Sequence, residues 1–212
     1  GFNENEVSFE DFSSNRELGE KKLFFGAFLF FNEYGQRDLS GCIFNGSFRA
    51  GRIQEEGINL SDAVFNGIFE IRGYTSPEAL NLNKATFNNT VTISNYSSSG
   101  GLDLSSRTFK ERVEVENFSV GALTINNSIF EKTLNINSTY TSKPVRINGS
   151  LVKGSLFAKS FQSPGGLDAS DSTFNYFAYF DNYSSPTALN VSGSVFKETP
   201  SFEHYHSIKG LN

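Results

Sequence analysis

Apolar residues recur along this chain in a cycle of about 22 positions. In Gly101–Ile125, Leu102 and Leu104 alternate with polar neighbours. Phe109 follows, then Val113 and Val115, then Phe118, and the cycle restarts at Leu123 and Ile125. The second apolar position of successive cycles is Leu39, Leu60, Leu82, Leu104, Ile125, Ile147, Ala169 and Val191, at intervals of 21 or 22 residues. Five residues after each stand Phe44, Phe65, Phe87, Phe109, Phe130, Val152, Phe174 and Phe196. A fixed period of this length is the signature of a repeat architecture.

Inside one cycle the apolar pairs are spaced i, i+2, which is strand alternation. No stretch sustains the i, i+3, i+4, i+7 stripe of an amphipathic helix. Strands of two or three residues bury too little to offset the entropy of ordering them. They become stable only when equivalent strands stack coil on coil, so the pattern predicts an all-β parallel solenoid of about nine coils.

The strand positions share a grammar. The first reads LDLSS at 102–106, INLSD at 58–62, LNLNK at 80–84, LDASD at 167–171 and LNVSG at 189–193; the second reads ATFNN at 85–89, STFNY at 172–176 and SVFKE at 194–198. This resembles the pentapeptide-repeat family over residues 37–212, and more loosely over 7–36. The resemblance implies a right-handed quadrilateral β-helix with Leu or Phe pointing inward. The 22-residue cycle departs from the 20-residue coil of that family, and Leu80, Leu102 and Leu167 stand where it prefers Ala. A three-sheet right-handed parallel β-helix is the competing geometry.

Residues 37–212 read as the regular β-helix and 1–36 as its irregular N-terminal coil. Val7 and Phe9 echo the third-position pair, and Ser13–Lys22 is polar and off-pattern. Leu23, Phe25, Leu29, Phe31 and Tyr34 fall at the expected inward offsets. Gly1 is not a natural start, and Gly210–Asn212 repeats the opening of a coil, so more chain is expected on both sides. One corner of each coil is rich in turn formers, as in TSPEA at 75–79, SSSGG at 97–101 and QSPGG at 162–166, where Ser, Gly and Pro suit tight bends.

Charge narrows the functional classes. The formal net charge is −5, with no basic stripe to neutralise phosphates, which argues against nucleic acid as a partner. No apolar run reaches the length of a membrane-spanning helix. Cys42, the single cysteine, falls where other coils carry Ala63, Ala85 or Ser128 and reads as a buried structural thiol. It leaves the compartment undecided, with the Asn, Ser and Thr content leaning toward the cell surface.

No catalytic, metal or cofactor site is assigned. Outward positions of the first strand (Asp38, Asn59, Asn81, Asp103, Thr124, Arg146, Asp168, Asn190) and of the third pair no carboxylates on neighbouring coils, as glycosidase or lyase chemistry requires. His204 and His206 point to one side and Glu203 to the other, so a metal site would need a ligand from another coil. Ten Asn-X-Ser/Thr triplets, beginning at Asn45, Asn59, Asn88, Asn95, Asn117, Asn126, Asn137, Asn148, Asn182 and Asn190, follow from the repeat's taste for Asn and Ser.

Two columns stand out. One is aromatic: Tyr74, Tyr96, Phe118, Tyr140, Phe161, Tyr183 and Tyr205, expected to stack along the coils and seal a corner of the core. The other is the outward side of the second strand: Ile43, Val64, Thr86, Thr108, Ile129, Leu151, Thr173 and Val195. Solvent ordinarily selects polar residues there, although β-propensity alone also favours branched ones. This stripe is the candidate interaction face. The reading it supports is a non-enzymatic scaffold, of adhesin type or otherwise, that binds a protein partner, a surface or a second copy. The alternatives are a DNA-mimic topoisomerase protector, which the resemblance to pentapeptide-repeat proteins implies, and a β-helical polysaccharide-active enzyme.

Overall fold

The computed structural model describes residues 6–7, 23–31, 37–54, 57–141 and 143–211. All its strand pairs are parallel, no helix is present among the described residues, and the chain winds into a β-solenoid of about eight turns. Registers step by one cycle at a time: Val91 pairs with Val113, Val113 with Leu134, and Leu134 with Leu156.

Each coil has the same parts. In the central coil a two-residue strand at Leu102–Asp103 makes the first run and another at Thr108–Phe109 makes the second. An eight-residue strand, Val113–Val120, makes the third and fourth. The long strands, with two-residue strands at Glu6–Val7 and His206–Ser207 at the ends, form one ten-stranded sheet. Two-residue strands hold because each meets an equivalent in a neighbouring coil, which is where its backbone groups find partners.

The long strand turns a corner without breaking its ladder. Val91 and Ile93 are buried, and so are Tyr96 and Ser98, so the alternation resets between them. The residue that resets it is Asn95, at φ 52; Arg52, Gly73, Asn117, Ser138, Ser160, Asn182 and His204 repeat this left-handed conformation coil after coil. A coil thus has four runs but three hydrogen-bonded groups of strands, which is why four-sided and three-sheet readings both fit its spacing.

Leu39, Leu60, Leu82, Leu104, Ile125, Ile147 and Ala169 line the core from the first run, and the predicted phenylalanine column from Phe44 to Phe174 lines it from the second. Phe44 stacks on Phe65 at 5.1 Å and 3°. Phe65 meets Phe69 edge-on at 4.6 Å, so the two columns interlock. Cys42 lies buried in the column of Ala63 and Ala85, as its position predicts.

Two expectations are corrected. In the first full coil Phe24 and Phe28 are the buried residues, pairing with Phe44 and Phe48, while Phe25 is 76% exposed and Leu23 also faces solvent. A one-residue slip in a run of consecutive apolar residues exchanges the two faces, and the run LFFGAFLFF offers no polar residue to fix it. The polar segment 13–22, Phe9, Phe12 and Tyr34 lie outside the described residues.

The second correction concerns the aromatic column. Tyr74, Tyr96, Phe118, Phe161 and Tyr183 are buried, and Tyr205 packs against the core. Tyr140 is not among them. Thr139 pairs with Phe161 and is buried, whereas Tyr140 is 63% exposed. The inward residue is the one after the left-handed corner, Ser138, and that position here is Thr139. The ladder therefore runs as two pieces, Tyr74–Tyr96–Phe118 and Phe161–Tyr183–Tyr205.

Candidate functional site

The second-run stripe faces outward as its alternation requires. Strands such as Val64–Phe65 and Ile129–Phe130 bury the phenylalanine and turn the preceding residue to solvent. Thr86, Thr108, Ile129 and Val195 are exposed, Val195 by 53%, while Ile43, Val64, Leu151 and Thr173 are half-buried by their neighbours.

One rim of the stripe is tied by side chains. The Asn66 amide donates to the Asn45 carbonyl at 2.7 Å, Asn88 to Asn66 at 2.7 Å, and the Lys110 ammonium to Asn88 at 2.7 Å. Further along, Lys153 pairs with Glu131 at 2.7 Å. The rim is polar, carries both signs of charge and is held in place, so the strip beside it has one fixed edge.

The regular stack is interrupted once among the described residues. On either side of the interruption, backbone bonds join neighbouring coils: Leu60 N–H to the Asn81 carbonyl, Asp62 N–H to Asn83, and Thr86 N–H to Ala63, each at 2.8 Å. Beyond it Leu104 donates to Thr124 at 2.7 Å and Ile129 to Arg107 at 2.8 Å. Between residues 80–88 and 102–110 the equivalent bonds are missing. The first-run and second-run strands accordingly fall into separate sheets on the two sides, while the long-strand sheet passes through unbroken. The coils open along one side of the rod only.

Arg107 fills the opening. Its column otherwise holds small residues: Cys42, Ala63, Ala85, then Ser128, Ser150, Ser172 and Ser194. The serines knit neighbouring coils: Ser128 N–H donates to Ser150 Oγ at 3.1 Å and Ser150 N–H to Ser172 Oγ at 3.2 Å. A guanidinium is too large for that role. Its Nε donates to the Ala85 carbonyl at 3.3 Å, Nη1 to those of Asp103 and Ser105 at 3.3 and 3.0 Å, and Nη2 to that of Leu82. It bridges carbonyls of both coils in place of the missing ladder. Burial pulls its pKa below the ordinary value, with Asp103 acting the other way. Among the described residues no carboxylate forms an ion pair with it. Around it lies a cleft of about 530 Å³, lined by Asn81, Leu82, Lys84, Asp103 and Ser105 among others.

The histidines are arranged otherwise than strand alternation implies. His204 sits at a left-handed corner, and its Nδ1 lies 3.1 Å from an Asp181 carboxylate oxygen. Glu203 converges on the same place, the three potential ligand atoms lying within 4.8 Å of one another. His206, in its own short strand, takes no part. The corner breaks the alternation that would separate Glu203 from His204.

Of the ten Asn-X-Ser/Thr triplets, those at Asn95, Asn117 and Asn182 begin at exposed corner residues. The Asn59, Asn88 and Asn190 amides bond along coil ladders, and Asn126, Asn137 and Asn148 each bury their side-chain oxygen. Comparison with family models, with curated proteins and with solved structures finds no match for this chain.

Proposed function

We propose that this chain is a non-enzymatic repeat scaffold that associates through the outward side of its second run, and that the partner is a second copy. The observation that carries the proposal is the stripe from Ile43 to Val195, β-branched or leucine at every coil, laddered on either side of the interruption between Thr86 and Thr108. With coils stacked at roughly 4.8 Å, eight rungs make a mostly apolar strip roughly 35 Å long, with Thr86, Thr108 and Thr173 among its residues. Monomers rarely leave such a strip bare.

A second copy suits it because the rim carries both lysine and glutamate, so two rims brought together do not present charge of one sign throughout. Sheets of such short strands pack face to face through their outward side chains. The coil grammar supports placing the chain beside the pentapeptide-repeat proteins, as a lengthened variant of their coil. Small-angle X-ray scattering tests the proposal: two rods lying side by side give a thicker cross-section than one. A cross-section of a single rod at high concentration contradicts it.

A further inference from the structure

The interruption at Arg107 leaves an imbalance of hydrogen-bonding groups. In a closed stack, the Leu82 and Lys84 N–H groups would donate to the Asp103 and Ser105 carbonyls, as Leu60 and Asp62 donate to Asn81 and Asn83 in the preceding coil. Here the guanidinium has taken both carbonyls, and the Leu82 carbonyl with them. The acceptors are used, and no backbone bond takes up the Leu82 or Lys84 N–H. The Leu82 N–H, on a buried residue, is costly in this state, that of exposed Lys84 is open to solvent, and both favour whatever brings acceptors to them.

Charge points the same way. In a chain of net charge −5, this cleft gathers the Arg107 guanidinium and the Lys84 ammonium against one carboxylate. That carboxylate, on Asp103, is turned to Ser105, whose N–H donates to it at 2.9 Å and whose hydroxyl also donates to it. The Arg107 guanidinium directs its hydrogen bonds to carbonyls, and Asp103 acts on its charge without pairing with it. A half-buried cation in no direct ion pair, beside backbone donors without a ladder partner, is the composition of an anion site.

We propose that the cleft between residues 80–84 and 102–107 binds a small oxyanion group, such as a phosphate, sulfate or carboxylate. Arg107 serves as the wedge that holds the coils apart, the Leu82 and Lys84 N–H groups as its donors, and Lys84 as a second charge. The site lies on the first run and does not depend on the second-run stripe or on self-association.

Amide-resolved NMR of the full chain tests it, with inorganic phosphate, sulfate and acetate titrated in separate arms and sodium chloride at matched ionic strength as the control. The expected result is saturable shifts of the Leu82, Lys84 and Asp103 amides with at least one oxyanion and none with chloride; the responding arm identifies the group. Arg107→Ser, which extends the serine column and lets the ladder close, abolishes the shifts while leaving the long-strand amides in place. Lys84→Gln keeps the wedge and weakens the apparent affinity several-fold, so the test stands even if the first variant fails to fold. Absence of saturable shifts in the wild type, shifts equal to those with chloride, or undiminished binding in either variant overturns the proposal.

Discussion

Phe87 and Phe109 are the pair at which the phenylalanine ladder tilts. Their rings stand 5.6 Å apart and 19° from parallel, against 5.1 Å and 3° for Phe44–Phe65. The tilt falls where the first-run and second-run ladders are interrupted, so the core has followed the opening of the coils around Arg107. The long strands beside it, paired Val91 to Val113, do not open.

This one-sided opening has a dynamic consequence. Amides without a ladder partner exchange with solvent through small local fluctuations. Leu82, Lys84 and Thr108 are expected to exchange markedly faster than their counterparts one coil away, Leu60, Asp62 and Ile129. Equal protection at the two sets of amides, measured by hydrogen–deuterium exchange, contradicts the interruption.

The ladder still carries much of the stability. Phe109 is buried between Phe87 and Phe130, and truncation to alanine is expected to cost about 3–5 kcal/mol, the usual range for a core aromatic. Denaturant titration measures it. Near-neutral behaviour of Phe109→Ala would show the inward and outward faces to be reversed.

Much of this was readable in the sequence because the period is long and repeated: any one cycle is ambiguous, but aligned cycles separate the inward columns. The failures came where a column residue had no consistent neighbour. Phe25 falls at the template's inward offset, and the apolar run around it holds no polar residue to show the slip. At Tyr140 the aromatic side chain marks the column in the sequence, but the left-handed corner at Ser138 decides which residue turns in. Arg107 was present in the same alignment as an arginine in a column of Cys, Ala and Ser, two residues before the phenylalanine. Its significance lay in backbone bonds that no sequence pattern displays.

The Thr139 correction is itself testable. Its hydroxyl is buried with no hydrogen-bond partner in the structure. Thr139→Val, close in shape, is expected to stabilise the protein by about 1 kcal/mol, since a buried unsatisfied hydroxyl costs about that much or more. Tyr140→Ala is expected to stay within about 0.5 kcal/mol of wild type, as a surface change. Were Tyr140 the core residue, the two results would exchange places.

Tyrosine and phenylalanine are not equivalent in the aromatic column. Tyr96 takes the Leu80 N–H at 3.0 Å and donates to the Gly101 carbonyl at 2.8 Å, linking two coils through its hydroxyl. Where the column holds Phe118, Leu102 N–H bonds directly to the Ala122 carbonyl at 2.8 Å. Tyr96→Phe is expected to cost about 1–3 kcal/mol, toward the lower end if the coils close to form that direct bond. Burial raises the Tyr74, Tyr96 and Tyr183 hydroxyls above their ordinary value of 10.0. Below that value the hydroxyls are protonated in both the folded and unfolded chain. Above it the unfolded chain releases protons that the folded chain retains, so stability falls as pH rises. Thermal melts across the alkaline range should show this loss, and Tyr96→Phe should make it shallower; a melting temperature flat above pH 10 contradicts it.

Association through the second run is tested most directly by sedimentation of the wild type beside the Val64→Lys/Ile129→Lys double variant over a range of concentrations. Neither side chain belongs to the core, so both proteins should keep the same circular dichroism. The wild type is expected to sediment as a dimer that dissociates on dilution, and the double variant as a monomer throughout. Two monomers at every concentration, or a dimer that survives both lysines, would contradict the account.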